Sequence, residues 1–363
     1  MAEPGPKPTY HVFSGKIYIF HAFNVGSEID LEKVKSLPSI ISQPLELPKY
    51  FRKYHVPLAI DLPHPHTSSR NMSVKLYDFG ALSLTYKIPF EDTLENMRKQ
   101  LEKMENQYKE QSVEDAQSVF RQTRKHITHP NFFNTTSSYL VIQVDDEPKK
   151  FSGTELKKQY GGLIASAIRF ETETLSELQK NEILEDSIGY FRGDLVVIDD
   201  ESAFVYDPEY EEMLSFFEFA NIQLLELQYF SSVLDQQLNM IYKGKQRKLS
   251  WRRFLPFASM YVKDPVEELG RLKVDISVIT ERLENTIRLA GEPYFSELYD
   301  LLEEKLDLKG WRESIDKQLD IILDIRSVLQ HKVDSIREDL LTVLIIILIF
   351  IELLVALLHY FKG

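Results

Sequence analysis

The sequence predicts an α+β protein with a mixed N-terminal module, an all-helical C-terminal region and a final membrane-spanning helix. Three observations carry this. Leu340 to Leu358 reads LLTVLIIILIFIELLVALL, with Glu352 as its one ionisable residue. At about 1.5 Å per residue this makes a helix of roughly 28 Å, close to the ~30 Å hydrocarbon core of a bilayer. From Pro208 onward the apolar residues recur at three and four, a helical period, whereas before Tyr206 short β-branched and aromatic runs alternate with helical ones. The order there is strand, helix, two strands, helix, strand, the split βαβ order of ferredoxin-like domains with an extra helix inserted. The expected organisation is a loose N-terminus over 1–9, an α/β domain over 10–206, a coiled-coil-like helical domain over 207–339 and the anchor over 340–358.

The elements follow from local chemistry. His11 to Val25 is rich in aromatic and β-branched residues and ends at Asn24-Val25-Gly26, a strand running into a turn. Leu31 to Leu37 predicts a short helix closed by Pro38, and Pro44, Pro48, Pro57, Pro63 and Pro65 make the next stretch extended and irregular. Ser73 to Tyr77 and Ala81 to Ile88 read as two strands joined at Asp78-Phe79-Gly80, the second ended by Pro89. Leu94, Met97, Leu101, Met104 and Tyr108 mark a helix over Glu91 to Tyr108, a second helix follows from Val113 to Ile127, and Tyr139 to Val144 is a strand. Thr154 to Leu184 predicts a helix opened near Gly161-Gly162, where the glycines give a kink or a close packing point. Two apolar runs around Asp199-Asp200-Glu201 predict a hairpin.

Four further helices are expected: Leu214 to Tyr242, Val262 to Leu289, Tyr294 to Leu306, and Trp311 into the anchor. The last carries a heptad seam of Ile315, Leu319, Ile322, Arg326, Leu329, Val333 and Ile336, with Arg326 as a polar intruder that can fix register or oligomer state. Continuous from Trp311 to Leu358, this rod is about 70 Å long. Val262, Val266, Leu269, Ile276, Leu283 and Ile287 form a matching seam, so the two helices pair within one chain or between subunits.

Composition narrows the function classes. The chain has 363 residues, 43% of them hydrophobic, enough for two packed modules and an anchor. A net charge of −13 argues against a protein that coats nucleic acid or anionic lipid over its whole surface, and leaves room for a local basic site. With no cysteine there are no disulfides, thiolate metal sites or cysteine nucleophiles, as befits a reducing compartment. The start MAEPGPKPTYHVF signals neither secretion nor organelle import. Arg326, Lys332 and Arg337 precede the apolar helix and Lys362 follows it, so the positive-inside bias places the N-terminal body in the cytosol, the arrangement of a single-pass, tail-anchored protein.

Catalytic motifs are scarce. GxxxxGK, GxGxxG and GxSxG are absent. Asp61, His64 and His66, together with His126 and His129, are the metal-like arrangements, but their spacing specifies no third ligand, and no metal or other cofactor is expected. Asp145-Asp146-Glu147 and Asp199-Asp200-Glu201 sit at strand ends, where turn chemistry favours Asp in any case. Glu352 is a helix-pairing residue or a tolerated carboxyl. The stretch KGKQRKLSWRR concentrates Lys243, Lys245, Arg247, Lys248, Arg252 and Arg253 beside Trp251, a contact for RNA, a ribosomal particle or anionic headgroups, or a solvated loop.

FRGDLVVIDDESAFVYDPEYEEMLSFFEFANIQLLELQYFSSVLDQQL, then Tyr294-Phe295-Ser296-Glu297-Leu298-Tyr299, then SIREDLLTVLIIILIFIELL resembles the "required for meiotic nuclear division" family. The resemblance covers most of Asp194 to Leu358. It implies an α/β N-terminal part, a helical C-terminal part and a final apolar helix holding an acidic residue, here Glu352. It carries no catalytic residues. Its mitochondrial members resemble oligomeric inner-membrane proteins that support translation, although this chain has no transit peptide. The expected function is a non-enzymatic scaffold that self-associates and tethers translation machinery or RNA at a membrane, with no small-molecule substrate. The alternative is an enzyme with a pocket between the two domains, for which Arg192 and Asp194, at a strand entrance, are the candidates.

Overall fold

A computed structural model of the chain describes residues 11–45, 56–61, 72–133, 135–146, 151–244, 274 and 293–362. The chain divides into two units, 1–229 with 279–312, and 230–278 with 313–363. The fold is α+β, with a large N-terminal sheet and a helical C-terminal region.

The strands of the first unit are β1 (Val12–Asn24), β2 (Glu28–Ile29), β3 (Ile41–Ser42), β4 (Leu58–Asp61), β5 (Met72–Leu76), β6 (Ala81–Thr93), β7 (Ile127–Thr128), β8 (Ser137–Val144), β9 (Ser187–Ile188), β10 (Leu195–Ile198) and β11 (Ser202–Tyr206). Nine of them form one sheet in the order β3-β4-β5-β6-β1-β8-β11-β10-β9, while β2 and β7 pair separately. All neighbours in the large sheet are antiparallel except β8 and β11, which are parallel. Central β1 is flanked by β6 and β8 and buried on both faces, which is why its sequence is aromatic and β-branched almost throughout rather than strictly alternating.

The unit's helices are α1 (Leu31–Lys35), α2 (Leu94–Thr123), α3 (Gly153–Ile168), α4 (Glu177–Glu185), the first part of α5 (Tyr210–Gly244), and α6 (Pro293–Lys305). Side chains alternate along a strand, so β1 sends Phe13, Ile17, Ile19 and Phe23 to one face, where they join Leu101 and Val119 of α2, Leu156 and Ile164 of α3, and Leu184 of α4 in a single core. The even-numbered residues Lys16, Tyr18 and Asn24 of β1 meet α5 on the other face. There Phe217 stacks on Tyr139 of β8 with ring centroids 5.6 Å apart, and Phe216 stacks on Phe295 of α6 at 5.1 Å. The layers are helix, sheet, helix.

Polar contacts lock α5 onto the sheet. Glu218 pairs with Lys75 of β5 and accepts the Ser83 hydroxyl proton of β6 at 2.7 Å. Ser137 of β8 donates to Asn221 Oδ1 at 2.8 Å, and Asn221 Nδ2 donates back to the Ser137 carbonyl at 3.2 Å. Asn24 Nδ2 donates to Glu226 at 3.1 Å. Gln223, turned from the sheet, accepts from Tyr299 of α6 at 2.6 Å. Burial pushes the Glu226 carboxyl up to about 8, with the Asn24 hydrogen bond opposing it.

Several sequence expectations are corrected in detail. One helix of 30 residues, α2, replaces the expected pair; the Ser112 hydroxyl that would favour a break donates instead to the Lys109 carbonyl at 2.7 Å within the helix. Strand β6 runs through Pro89 to Thr93, held along its whole length by β1, with Pro89 opposite Lys16. Helix α3 passes unbroken through Gly161-Gly162. The chain leaves the helix only after Ile168, with Phe170 at φ 56°, and Gly161 is instead a packing point, where a Cβ would press on Leu184 of α4.

In the second unit, α7 (Leu308–Lys362, the part from Glu313) runs without interruption. Ile315, Leu319 and Ile322 are buried, as a seam requires. The contact that the structure gives this segment is with α5: Gln318 Nε2 donates to Ser231 Oγ at 3.4 Å and to Asp235 Oδ1 at 3.2 Å. Ile336 is half-buried, the backbone at Arg326, Leu329 and Val333 is helical, and the seam from Val262 to Ile287 lies outside the described residues. Within Asp334–His359 an 18-residue window has a mean hydropathy of 3.2 and is fully unburied, long and apolar enough to cross a membrane.

Two substitutions test this packing. A Cβ on Gly15 would overlap the Gln143 carbonyl oxygen across the β1–β8 ladder, so Gly15→Ala should lower the denaturation midpoint by the equivalent of about 2 kcal/mol or more, whereas Ser14→Ala should change it by about 0.5 kcal/mol or less. Glu226 holds its proton in the folded chain up to about pH 8 but only to 4.5 when unfolded. Its contribution is therefore complete below pH 4.5 and lost as pH rises through 8. Glu226→Gln keeps an acceptor for Asn24 and has no proton to lose. Between pH 5 and 9, urea unfolding should show the wild type losing stability relative to this variant; parallel curves would show that Glu226 is already ionised in the fold.

Candidate functional site

Among the described residues of the first unit, two of the clefts lie on the side of the sheet covered by α2, α3 and α4. One, of about 500 Å³, lies where α2 passes the start of β8 and the end of α3. Glu102, Glu105, Glu171 and Glu201 line it, with Lys109 and Arg169 among them. Arg169 is committed to an ion pair with buried Asp199, whose carboxyl is raised by burial against the pull of that guanidinium. Ser138 donates to Glu105 at 3.3 Å. Opposite Ser138 in the β1–β8 register stands His21, completely buried, with neither ring nitrogen hydrogen-bonded. Burial first and then the Lys109 charge hold its imidazole down at about 3, so it stays neutral near pH 7. A neutral, enclosed ring against the Tyr86 ring at 6.0 Å is a core group, not a general base at work near neutrality.

The other cleft, of about 770 Å³, is electrostatically opposite. Its wall is made by the first turns of α3, by α4, and by the loop between β9 and β10. Lys157, Lys158, Lys180 and Arg192 line it, against Glu185 and Asp194. The loop is self-supported: the Asp194 carboxylate accepts the Phe191 N–H at 2.7 Å, and the Gly153 N–H donates to the Arg192 carbonyl at 3.2 Å. Ser152 caps α3 in a reciprocal arrangement with Glu155, at 3.2 Å from the Glu155 N–H and 2.9 Å back from the Ser152 N–H to the carboxylate. Lys157 donates to Ser187 at 2.9 Å and Lys180 pairs with Glu177 at 2.9 Å. Phe191 forms the exposed rim. The wall carries four basic side chains against two carboxylates.

The structure brings the predicted Arg192 and Asp194 together on this wall, within the first unit. Asp199-Asp200-Glu201 forms the turn of the β10–β11 hairpin, with the Asp199 N–H bonded to the Ser202 carbonyl at 2.9 Å. Asp145 N–H donates to the Ser14 carbonyl at 2.9 Å, again as a strand-end residue. Among the described residues no three His, Asp or Glu side chains are placed to hold a metal ion. Asp61 accepts from Gln43 at 2.5 Å, while His64 and His66 lie outside the described residues. Glu352 sits on the exposed apolar helix. Of the basic island, Lys243 falls in the last turn of α5, and Lys245, Arg247, Lys248, Arg252 and Arg253 lie outside the described residues. Sequence reasoning missed the lysines of the larger cleft, since Lys157-Lys158 and Lys180 occur at ordinary helical positions and only the fold of β9 and β10 brings Arg192 to them.

No solved structure matches the chain. A protein of Methanocaldococcus jannaschii, described as "Uncharacterized protein MJ0711", is 24% identical over 202 residues, covering 55% of this chain and 60% of the relative, so the chain spans less than two thirds of that relative's length. The family model for "Uncharacterized protein MJ0711, N-terminal domain" matches residues 14–212, the interval from β1 to the start of α5 that holds both clefts. On that match the chain belongs to the MJ0711 N-terminal domain family.

Proposed function

We propose that the protein is a non-enzymatic, tail-anchored membrane scaffold. The observation that carries this is the 18-residue apolar window within Asp334–His359, with mean hydropathy 3.2 and no burial. A helical window of that length, apolar but for Glu352, is stable in lipid or in a deep protein interior, and among the described residues none covers it. The α/β unit then stands on the cytosolic side, as the charges flanking the helix favour. Its four central strands, in the antiparallel order β5-β6-β1-β8, support reading the core of the sheet as a split βαβ, ferredoxin-like arrangement widened at both edges. The seam of α7 serves self-association, with Arg326 and Glu352 as its polar positions. The basic island Lys243 to Arg253 serves as the contact for RNA or a ribosomal particle, in line with the resemblance to the meiotic nuclear division family. The enzymatic alternative draws on Arg192 and Asp194 in the larger cleft. Asp194 is engaged by a backbone amide, which favours binding over proton transfer.

Two experiments test the proposal. Full-length protein should remain in the membrane pellet through alkaline carbonate and high salt and leave it only with detergent, whereas a chain ending at Asp339 should be recovered in the supernatant. Full-length protein released by carbonate would end the membrane reading. In gradient sedimentation after mild detergent extraction, the protein should co-migrate with an RNA-containing particle, and nuclease or reversal of Lys245, Arg247 and Lys248 to Glu should shift it to a small oligomer. Migration indifferent to both would remove the tether.

A further inference from the structure

We infer that the 770 Å³ cleft between α3, α4 and the β9–β10 loop is a binding site for a phosphate-bearing anion. The first argument is charge. In a chain of net charge −13, four cationic side chains from three separate segments converge on one concavity: Lys157 and Lys158 from α3, Lys180 from α4, and Arg192 from the loop. Gathering like charges is unfavourable unless an anion offsets them, and the protein supplies only part of the offset. Lys180 has Glu177, and Lys157 has the uncharged Ser187 hydroxyl. Asp194 is turned to the Phe191 amide. Lys158 and Arg192, both exposed, have no carboxylate partner among the described residues.

The second argument is shape. The concavity is open to solvent, and its volume of about 770 Å³ falls in the range of small-ligand sites. An Arg fork and several ammonium groups lining one cleft suit a phosphate, with its several oxygens, better than a single carboxylate, which two donors already satisfy. The third is the rim. Phe191 is 66% exposed beside the cations and Tyr190 is 64% exposed, their rings edge to face at 4.7 Å. Neighbouring exposed aromatics at a charged cleft give an apolar edge for the organic part of a phosphoester. The assignment concerns the α/β unit and stands independently of the membrane reading.

The phosphate has two chemical sources, a lipid headgroup or a soluble phosphoester, and one experiment separates them. Full-length protein in an uncharged detergent is titrated with inorganic phosphate and with phenyl phosphate, against chloride at equal ionic strength, following ³¹P line width and the thermal midpoint. In a parallel arm the micelles are doped with phosphatidylglycerol or, as a control, phosphatidylcholine. Saturable binding of inorganic phosphate, several-fold tighter for phenyl phosphate and weakened tenfold or more by Lys158→Glu or Arg192→Glu, establishes a soluble-phosphoester site. A midpoint shift with phosphatidylglycerol alone, lost in the same variants, establishes a headgroup site. Both residues are exposed, so the variants should keep the wild-type circular dichroism spectrum, and reversal of Lys245, Arg247 and Lys248 should leave binding at this cleft unchanged. No saturable response in either arm, or binding that the Lys158→Glu/Arg192→Glu double variant retains, overturns the assignment.

Discussion

The architecture of the first unit depends on the docking of α5 across the middle of the sheet. Helices usually cover sheets with apolar side chains alone, yet here Glu218, Asn221 and Glu226 enter the contact and find Lys75, Ser83, Ser137 and Asn24 waiting on four different strands. Buried polar groups of this kind add little net stability when satisfied and cost several kcal/mol when one partner is lost. Their effect is therefore on register. Sliding α5 by one turn, about 5.4 Å, would leave Glu218 without its ammonium and Asn221 without its hydroxyl, both out of reach of water. With the register fixed, Phe216 meets Phe295, Gln223 meets Tyr299, and Tyr294 of α6 reaches Asp207 at 3.3 Å. The second helical layer of the sheet follows from the placement of one helix.

What was legible in the sequence was what local chemistry decides. Strand β1 announces itself because both of its faces are buried, and the β10–β11 hairpin because Asp199 to Glu201 interrupts two apolar runs. The misjudged boundaries share one cause: a local signal overridden by a neighbour far along the chain. Pro89 stops a strand only where its amide is needed, and the long ladder with β1 carries β6 past it. Gly161-Gly162 weakens a helix only where nothing packs on it, and Leu184 packs there. The two-residue strands β3 and β9 carry too little pattern to be read at all, being defined by the strands beside them.

The site shows the same division more sharply. The features that stood out by composition, the basic island and Glu352, are contiguous in sequence, and contiguity is what inspection of a sequence detects. The larger cleft is assembled from Lys157 and Lys158, Lys180, and Arg192, each unremarkable where it stands. Arg192 entered the sequence reading through its place before a strand, and the fold sets it on the wall of this cleft, as loops at strand entrances lie where a sheet meets its covering helices. The lysines carried no such signal, because a Lys on an amphipathic helix is indistinguishable from any solvated residue until the opposing wall is in place.

On the membrane reading, the energetics of the C-terminal helix bear directly on Glu352. Apolar residues of the Leu, Ile, Val and Phe type each favour the bilayer centre by about 0.3 to 0.6 kcal/mol, and a charged residue there disfavours it by roughly 2.5 to 3.5 kcal/mol. The apolar residues of Leu340 to Leu358 together outweigh one such penalty, and Glu352 lies toward the second end of the window, where the cost is smaller. Insertion therefore does not require a partner for this carboxyl. Its presence constrains the alternatives instead: a purely apolar helix has no preferred neighbour in lipid, because lipid tails solvate it as well as another helix does, whereas one with a single carboxyl favours any arrangement that gives that group a hydrogen-bonding neighbour. On the same reading α7 would offer self-association two polar positions, Arg326 before the apolar segment and Glu352 within it, and neither alone fixes the register of the other.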